Sequence, residues 1–157
     1  PYLMQAIGAS NQFVLFKIGP ETYAVEIGET QEVLRYREPK RIPHAPRHVL
    51  GVINLRGQII PIVGLREKFA LESLLPGPET RIIVCQNATK LTGIVCDAVE
   101  RVVVIPAKNI EENPDFAHEK TQSTIRGVAH LDDDDSVIFL LNLAILTQED
   151  EARETAT

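Results

Sequence analysis

Residues 51–69 read GVINLRGQIIPIVGLREKF, and this stretch decides the fold. Two apolar runs, 51–55 and 58–63, flank the dipeptide Arg56-Gly57. Apolar, β-branched runs on either side of a Gly-containing turn predict a β-hairpin. Gly57 can adopt a positive φ without a Cβ clash, so the turn can be tight. The hairpin would hold the Arg56 guanidinium in a defined place at the end of an apolar strand.

The rest of the chain repeats short strand patterns with little helix. It predicts about nine or ten short strands separated by turn signals, a pattern typical of β-barrels or sandwiches. Residues 97–105 are apolar around Val102 and should be buried on both faces. We expect helical turns within 28–34 and 65–71 and a C-terminal helix within 143–155, and loops over 36–48 and 107–123. Periodicity alone leaves one large barrel and two small ones as alternatives.

Composition limits the classes of function. The 157 residues are 44% hydrophobic and include no Trp, so a core of Val, Ile and Leu is expected. A net charge of −6 argues against sequence-independent binding of nucleic acid, which needs a positive surface. The sequence contains neither a membrane-length apolar run nor a secretory signal pattern, which favours a cytoplasmic protein without direct membrane insertion.

Catalytic and metal-binding motifs are not readable in the chain. It lacks the Gly-x-Ser-x-Gly elbow and the phosphate-binding glycine loop. His44 and His48 have a zinc-like spacing, but Pro46 between them breaks the helix that would align them. The consecutive acids 132–135 lack the alternation and glycine of a calcium loop and are expected at a wet hairpin tip. We therefore expect no catalytic residues, no metal and no cofactor.

Two cysteines, Cys85 and Cys96, lie inside apolar strand patterns. Free cysteine behaves as a small hydrophobic residue, so buried reduced thiols are the favoured interpretation. A disulfide between adjacent strands is the alternative.

Several segments resemble, in order, those of the CheW family, the adaptor proteins that couple bacterial chemoreceptors to the histidine kinase CheA. The resemblance starts from Asn-Leu-Arg-Gly, followed by a Pro-Ile-Val run and Leu-Arg, and it covers about residues 12 to 147. The other matching segments are 13–19 with 23–27, Glu32-Val33, 42–46, Gly-Ile-Val-Cys-Asp-Ala-Val at 93–99, Ile110 with Pro114, 125–128 and Leu-Leu-Asn-Leu at 140–143.

The resemblance implies an all-β fold of two small five-stranded, SH3-like barrel subdomains packed on a shared apolar seam. It implies a loose N-terminus over 1–11, one intertwined domain over 12–147 and an acidic tail over 148–157. The segment 93–99 would belong to the second half of the domain, away from Arg56. One departure is Gly64, which stands where the family usually has an acidic residue that could pair with Arg66.

The function implied is that of a non-enzymatic scaffold. Its partners would be the CheA regulatory domain and the cytoplasmic tip of a chemoreceptor, the latter in a groove between the subdomains. The implied partner-binding residues are Glu32, Val33, Asn54, Arg56 and Gly57. For Arg56 the alternative is a structural pairing with a local carboxylate; for Glu32 and Val33 it is a place in the core and its rim.

Two other functions stay open. The chain could be a CheW-like adaptor of a related array, such as one that controls twitching motility. It could also be a small ligand-binding or hydrolytic β-barrel, which would need a nucleophile, a histidine and an acid in one pocket.

Overall fold

A computed structural model describes residues 11–112, 124–132 and 135–146. Short β-branched runs separated by Gly, Pro and Asn turns form strands throughout these ranges. The strands are β1 (Gln12–Ile18), β2 (Glu21–Glu26), β3 (Thr30–Arg35), β4 (Val49–Leu55), β5 (Gln58–Gly64), β6 (Arg81–Asn87), β7 (Lys90–Cys96), β8 (Ala98–Val104), β9 (Ile110–Glu111), β10 (Ile125–Ala129) and β11 (Ile138–Leu141). One helical turn, α1 (Leu65–Lys68), follows β5; 3-10 turns cover Ile27–Glu29 and Ala107–Asn109, and residues 143–146 are helical.

The strands form two sheets, each the basis of one subdomain. The terminal sheet has the order β8-β1-β2-β11-β10-β9, and the central sheet has the order β3-β6-β7-β5-β4. Most neighbours are antiparallel; β2 with β11 and β5 with β7 are parallel. The chain passes from the terminal to the central sheet through Ile27–Glu29 and returns at Asp97, so the central subdomain is inserted into the terminal one. The predicted all-β fold of two subdomains is confirmed.

Three apolar clusters fill the fold. One lies on the inner face of the terminal sheet and includes Phe13, Leu15 and Ile138. A second lies on the inner face of the central sheet and includes Ile53, Ile60 and Ile82. The third draws on both sheets and is the expected seam: Val14, Phe16, Ile18, Tyr23, Val25, Val63, Leu65, Ile83, Cys85, Ile94, Cys96, Leu141, Leu143 and Leu146. Because each subdomain alone is small, this shared cluster is needed to bury enough apolar surface.

Aromatic rings strengthen the seam. Tyr23 stacks on Phe69, which follows α1, with ring centroids 5.2 Å apart. Phe16 and Phe139 of the terminal sheet lie 6.1 Å and 5.5 Å from the Tyr23 ring. Such aromatic pairs add about 0.5–1.5 kcal/mol each beyond the area they bury.

Both cysteines lie in the seam as free thiols. Cys85 is on β6 opposite Thr92, whereas Cys96 is on β7 opposite Arg81. Since the two cysteines are not cross-strand partners, the structure has reduced thiols at these positions and not the alternative disulfide.

The helical turn expected within 28–34 is the 3-10 turn Ile27–Glu29, after which the chain continues as β3. Two other local predictions were wrong. Strand β8 is not buried on both faces, because it is an edge strand whose Val102 and Val104 are 51% and 59% exposed. The segment expected to be a loop over 107–123 contains β9, which gives the terminal sheet a sixth strand beyond the five predicted.

The placement of 93–99 also differs from expectation. Residues 93–96 belong to β7 in the middle of the central sheet, the same sheet that carries Arg56 at one of its turns. The remaining residues of the segment, Asp97 and the start of β8, carry the chain from the central sheet to the terminal sheet. The parallel pairing of β7 with β5, a non-local contact, brings these halves of the sequence together.

The chain termini fall mainly outside the described residues. The expected loose N-terminus is described only at Asn11, and the expected acidic tail 148–157 not at all. Two acids of the run 132–135 are likewise outside, whereas Asp132 accepts a hydrogen bond from buried Asn109 at 2.9 Å. Among the described helices, none is long and apolar enough to cross a membrane.

Candidate functional site

The β4–β5 turn is built by three of the predicted site residues. Arg56 has a φ of 51° and Gly57 a φ of 88°. Positive φ at both central residues gives the turn the twist that joins two antiparallel strands tightly. The Gly57 N–H donates a 2.8 Å hydrogen bond to Asn54 Oδ1. The Asn54 side chain therefore holds the turn, and the turn holds Arg56 in an otherwise unfavourable conformation.

The Arg56 guanidinium forms an ion pair with Glu32 on β3. The Arg56 side chain is 68% exposed and that of Glu32 is 28% exposed. Arg56 therefore has the local carboxylate contact that the structural alternative predicts. Its guanidinium is also exposed, as partner binding would require. An exposed arginine that is already oriented can offer its remaining N–H groups to a partner.

Apolar side chains border this pair. Val33 follows Glu32 on β3 and is 43% exposed, and its cross-strand partner is Ile83 of β6, a seam residue. Ile59 is opposite Asn54 and 60% exposed. We name this set the turn surface: Glu32, Val33, Asn54, Arg56, Gly57 and Ile59. The structure therefore brings Glu32, Asn54, Arg56 and Gly57 together, with Val33 adjacent to Glu32 along β3, and it adds the exposed Ile59 of β5.

A second polar arrangement lies at the return crossover, and the sequence did not single it out as a site. Arg66 of α1 donates from Nε to Asp97 Oδ1 at 3.0 Å and from Nη2 to Asp97 Oδ2 at 2.8 Å. Gly19, in the β1–β2 turn, donates its N–H to Asp97 Oδ2 at 2.7 Å. The sequence did contain one indication of this site, since Asp97 is the single acidic residue in the otherwise apolar run 93–99.

Gly64 has its own role beside this arrangement. A Cβ at position 64 would overlap Glu67 Oε1 and approach Leu50 Cδ1 to 3.0 Å. The contact left in doubt by the missing acid at 64 is supplied by Asp97 from the crossover between β7 and β8, so Arg66 keeps a carboxylate partner.

The environment of Asp97 favours its ionised form. Burial alone would raise the pKa of this carboxyl group. The hydrogen bonds from Arg66 and Gly19, with the charge of Arg66, outweigh burial and lower the pKa of Asp97 below its ordinary value. The same contact raises the pKa of Arg66, so both groups are charged at neutral pH.

A groove of about 660 Å³ borders this arrangement. Its lining combines apolar side chains such as Tyr36 and Leu50 with the proline-rich segment 74–80, the start of α1 including Arg66, and Asp97. Charged side chains, including Glu38, Arg41 and Glu67, also line it. No residue of the turn surface lines it. Across the described part of the chain, no three metal-ligating side chains come together.

The molecule has two β subdomains, one inserted into the other, with an exposed charged turn beside apolar residues and an open groove. These features define the class of a protein-binding scaffold. The chain matches the CheW-like domain over residues 12–151. It is 30% identical over 141 residues to the chemotaxis protein CheW of Rhizobium meliloti (strain 1021), covering 90% of this chain and 91% of the relative. The chain belongs to the CheW-like family, whose members are chemotaxis scaffolds or adaptors.

A solved structure and a further relative agree with this assignment. The scaffolding protein TtCheW of Thermoanaerobacter tengcongensis superposes with a TM-score of 0.75 at 28% identity, covering 85% of this chain and 89% of that one. Protein FrzA of Myxococcus xanthus is 27% identical over 145 residues, covering 92% of this chain and 90% of the relative. The chain thus shares its fold with a solved scaffolding protein.

Proposed function

We propose that the chain couples a chemoreceptor to the histidine kinase CheA by holding both at once, without chemistry of its own. The observation that carries the proposal is the presence of separate exposed surfaces on the two subdomains. The turn surface lies on the central sheet, and Val102 and Val104 lie on the β8 edge of the terminal sheet. A protein that offers different surfaces to two partners raises the concentration of each near the other.

The central subdomain is the proposed receptor site. The cytoplasmic tip of a chemoreceptor is helical, and the groove suits a helix with apolar and charged faces. Leu74 and Leu75 of the groove are 60% and 93% exposed. Arg56, held by Glu32 and by the turn at the other end of the β4–β5 hairpin, would contact a charged part of the receptor outside the groove.

The β8 edge is the proposed site for the kinase's regulatory domain. An edge strand leaves backbone N–H and C=O groups unpaired on one side, and a second β domain can add to it. The exposed Val102 and Val104 would be covered by that addition. Both partners then meet the chain in the cytoplasm, where the receptor tip and the kinase lie.

A second candidate is an adaptor of a related array with another output. The similarity to protein FrzA supports it, because that relative covers as much of this chain as the CheW proteins do. The same surfaces would serve, with a different kinase and receptor.

The test is a titration with receptor fragment and kinase regulatory domain, separately and together. We expect a ternary complex. Arg56→Ala should weaken receptor binding alone and Val102→Lys kinase binding alone, while Lys108→Ala, at an exposed position on neither surface, should change neither. Mutual displacement of the two partners would refute simultaneous coupling.

A further inference from the structure

The two crossovers between the subdomains are held differently. At the first, Arg126 of β10 pairs with Glu26 of β2 at 2.9 Å, but both strands belong to the terminal sheet. At the second, Asp97 is bound by Arg66 of the central subdomain and by Gly19 of the terminal one. Only the second of these ion pairs therefore ties one subdomain to the other.

We propose that Arg66, Asp97 and Gly19 form a clasp that fixes the angle between the two subdomains. Asp97 is itself fixed in the terminal subdomain, because its N–H donates to Lys17 C=O at 2.9 Å and one carboxylate oxygen accepts from Gly19. The two parallel bonds from Arg66 reach both carboxylate oxygens, so Oδ2 accepts from Arg66 and Gly19 together. A planar pair of such bonds restricts direction as well as distance.

Arg66 is a suitable anchor because the central subdomain holds it from several sides. It follows directly after Leu65, which is fully buried in the seam. Its Nη1 donates to Glu72 C=O at 2.9 Å. The Arg66 and Asp97 side chains are 18% and 28% exposed, so solvent screens their contact less than it screens an exposed pair.

The clasp supplies what the seam cannot. Apolar burial is itself non-directional, and the stacked rings of the seam restrict the angle only through packing. The carboxylate of Asp97, bound from both subdomains, selects that angle. The consequence for coupling, which rests on the proposed function, is that the clasp sets the geometry between partners bound to the turn surface and to the β8 edge.

The experiment measures the angle directly in the full-length chain. Spin labels at Lys90→Cys and Lys108→Cys, one on each subdomain, report the distance distribution between subdomains; the buried native thiols stay unlabelled. The test variant is Arg66→Gln. Arg126→Gln is the matched control, since it removes an arginine–carboxylate pair confined to the terminal sheet.

We expect Arg66→Gln to broaden or shift the distribution and Arg126→Gln to leave it as in the native chain. Should Arg66→Gln fail to fold, Arg66→Lys gives the same comparison, because lysine keeps the charge but cannot form the parallel pair. An unchanged distribution in the Arg66 variant, or an equal change in both variants, would overturn the clasp.

Binding measurements test the proposed function separately from the clasp. The kinase domain alone should bind Arg66→Gln as it binds the native chain, whereas a loss of receptor binding by this variant could also reflect the place of Arg66 in the groove and is not counted for the clasp. If the native chain forms no ternary complex, the proposed function fails, yet the distance comparison still decides the clasp.

Discussion

Arg56 and Glu32 join opposite edges of the central sheet. Arg56 follows β4, one edge strand, and Glu32 lies on β3, the other. Their ion pair shows that the sheet curls until its edges approach each other, as in a small barrel. One contact therefore joins the two edges of the subdomain and holds the exposed side chain of Arg56 in place.

Truncation of Arg56 should weaken partner binding more than stability. Loss of a charge-assisted interface contact costs about 1–3 kcal/mol, which corresponds to roughly a 5- to 150-fold loss of receptor affinity. The Arg56→Ala melting temperature should stay within a few degrees of native, because exposed ion pairs contribute about 0–1 kcal/mol. Calorimetric titration and thermal unfolding of Arg56→Ala and Lys108→Ala check this. A large fall in melting temperature with unchanged affinity would make Arg56 structural.

Gly57→Ala should destabilise the fold, because an L-residue is strained at a φ of 88°. We expect a loss of about 1 kcal/mol in the free energy of unfolding. Gly77→Ala is the control, since it has open space around its Cβ position and no positive φ. Urea unfolding of both variants gives the comparison; equal stabilities would show that the turn tolerates the strain.

The Asp97 clasp should make stability sensitive to acid. The folded pKa of Asp97 lies below the unfolded value, so its contribution is present above the unfolded pKa and is lost as pH falls through the folded pKa. The stability difference between the native chain and Asp97→Asn should be largest near neutral pH and shrink below about pH 4. Denaturant unfolding of both proteins from pH 7 to pH 2 measures it. A constant difference would mean that the charge of Asp97 contributes nothing.

The seam thiols should be unreactive until the subdomains separate. Burial raises the pKa of Cys96 to about 12 and that of Cys85 further still, so the reactive thiolate is scarce at neutral pH. A thiol reagent should modify neither residue in the native chain and both in denaturant. Mass spectrometry after timed labelling reads this directly. Rapid native labelling, or a quantitative bond between the two sulfurs, would contradict it.

No catalytic turnover is expected from the purified chain. It has neither a phosphate-binding loop nor a readable nucleophile and base in its sequence. Assays for ATP hydrolysis, ester hydrolysis and phosphotransfer should stay at the buffer blank. Turnover that a single substitution abolishes would refute the scaffold interpretation.

The features that depend on neighbouring residues in the chain were predictable from the sequence. The hairpin around Arg56 and the site residues near it follow from turn chemistry and from the family resemblance. The exposure of Val102 was not predictable from composition, since an apolar run fits a buried strand and an edge strand equally well. The role of Asp97 was missed because Gly19 and Arg66 are far from it in the chain and meet it only through the folded crossover.

The insertion of one subdomain into the other also bears on how the chain is made. Strand β1 pairs on one side with β2, the next strand in sequence. On its other side it pairs with β8, which is far away in sequence, as the pairing of Leu15 with Arg101 shows. During synthesis the β1 edge of the first hairpin must therefore stay open until the whole central unit has emerged, and its β2 edge until β11 follows. Such distant pairings slow folding, and open edges invite association with other chains. The central unit has its five strands consecutive in sequence, so it can fold first and shorten that exposure.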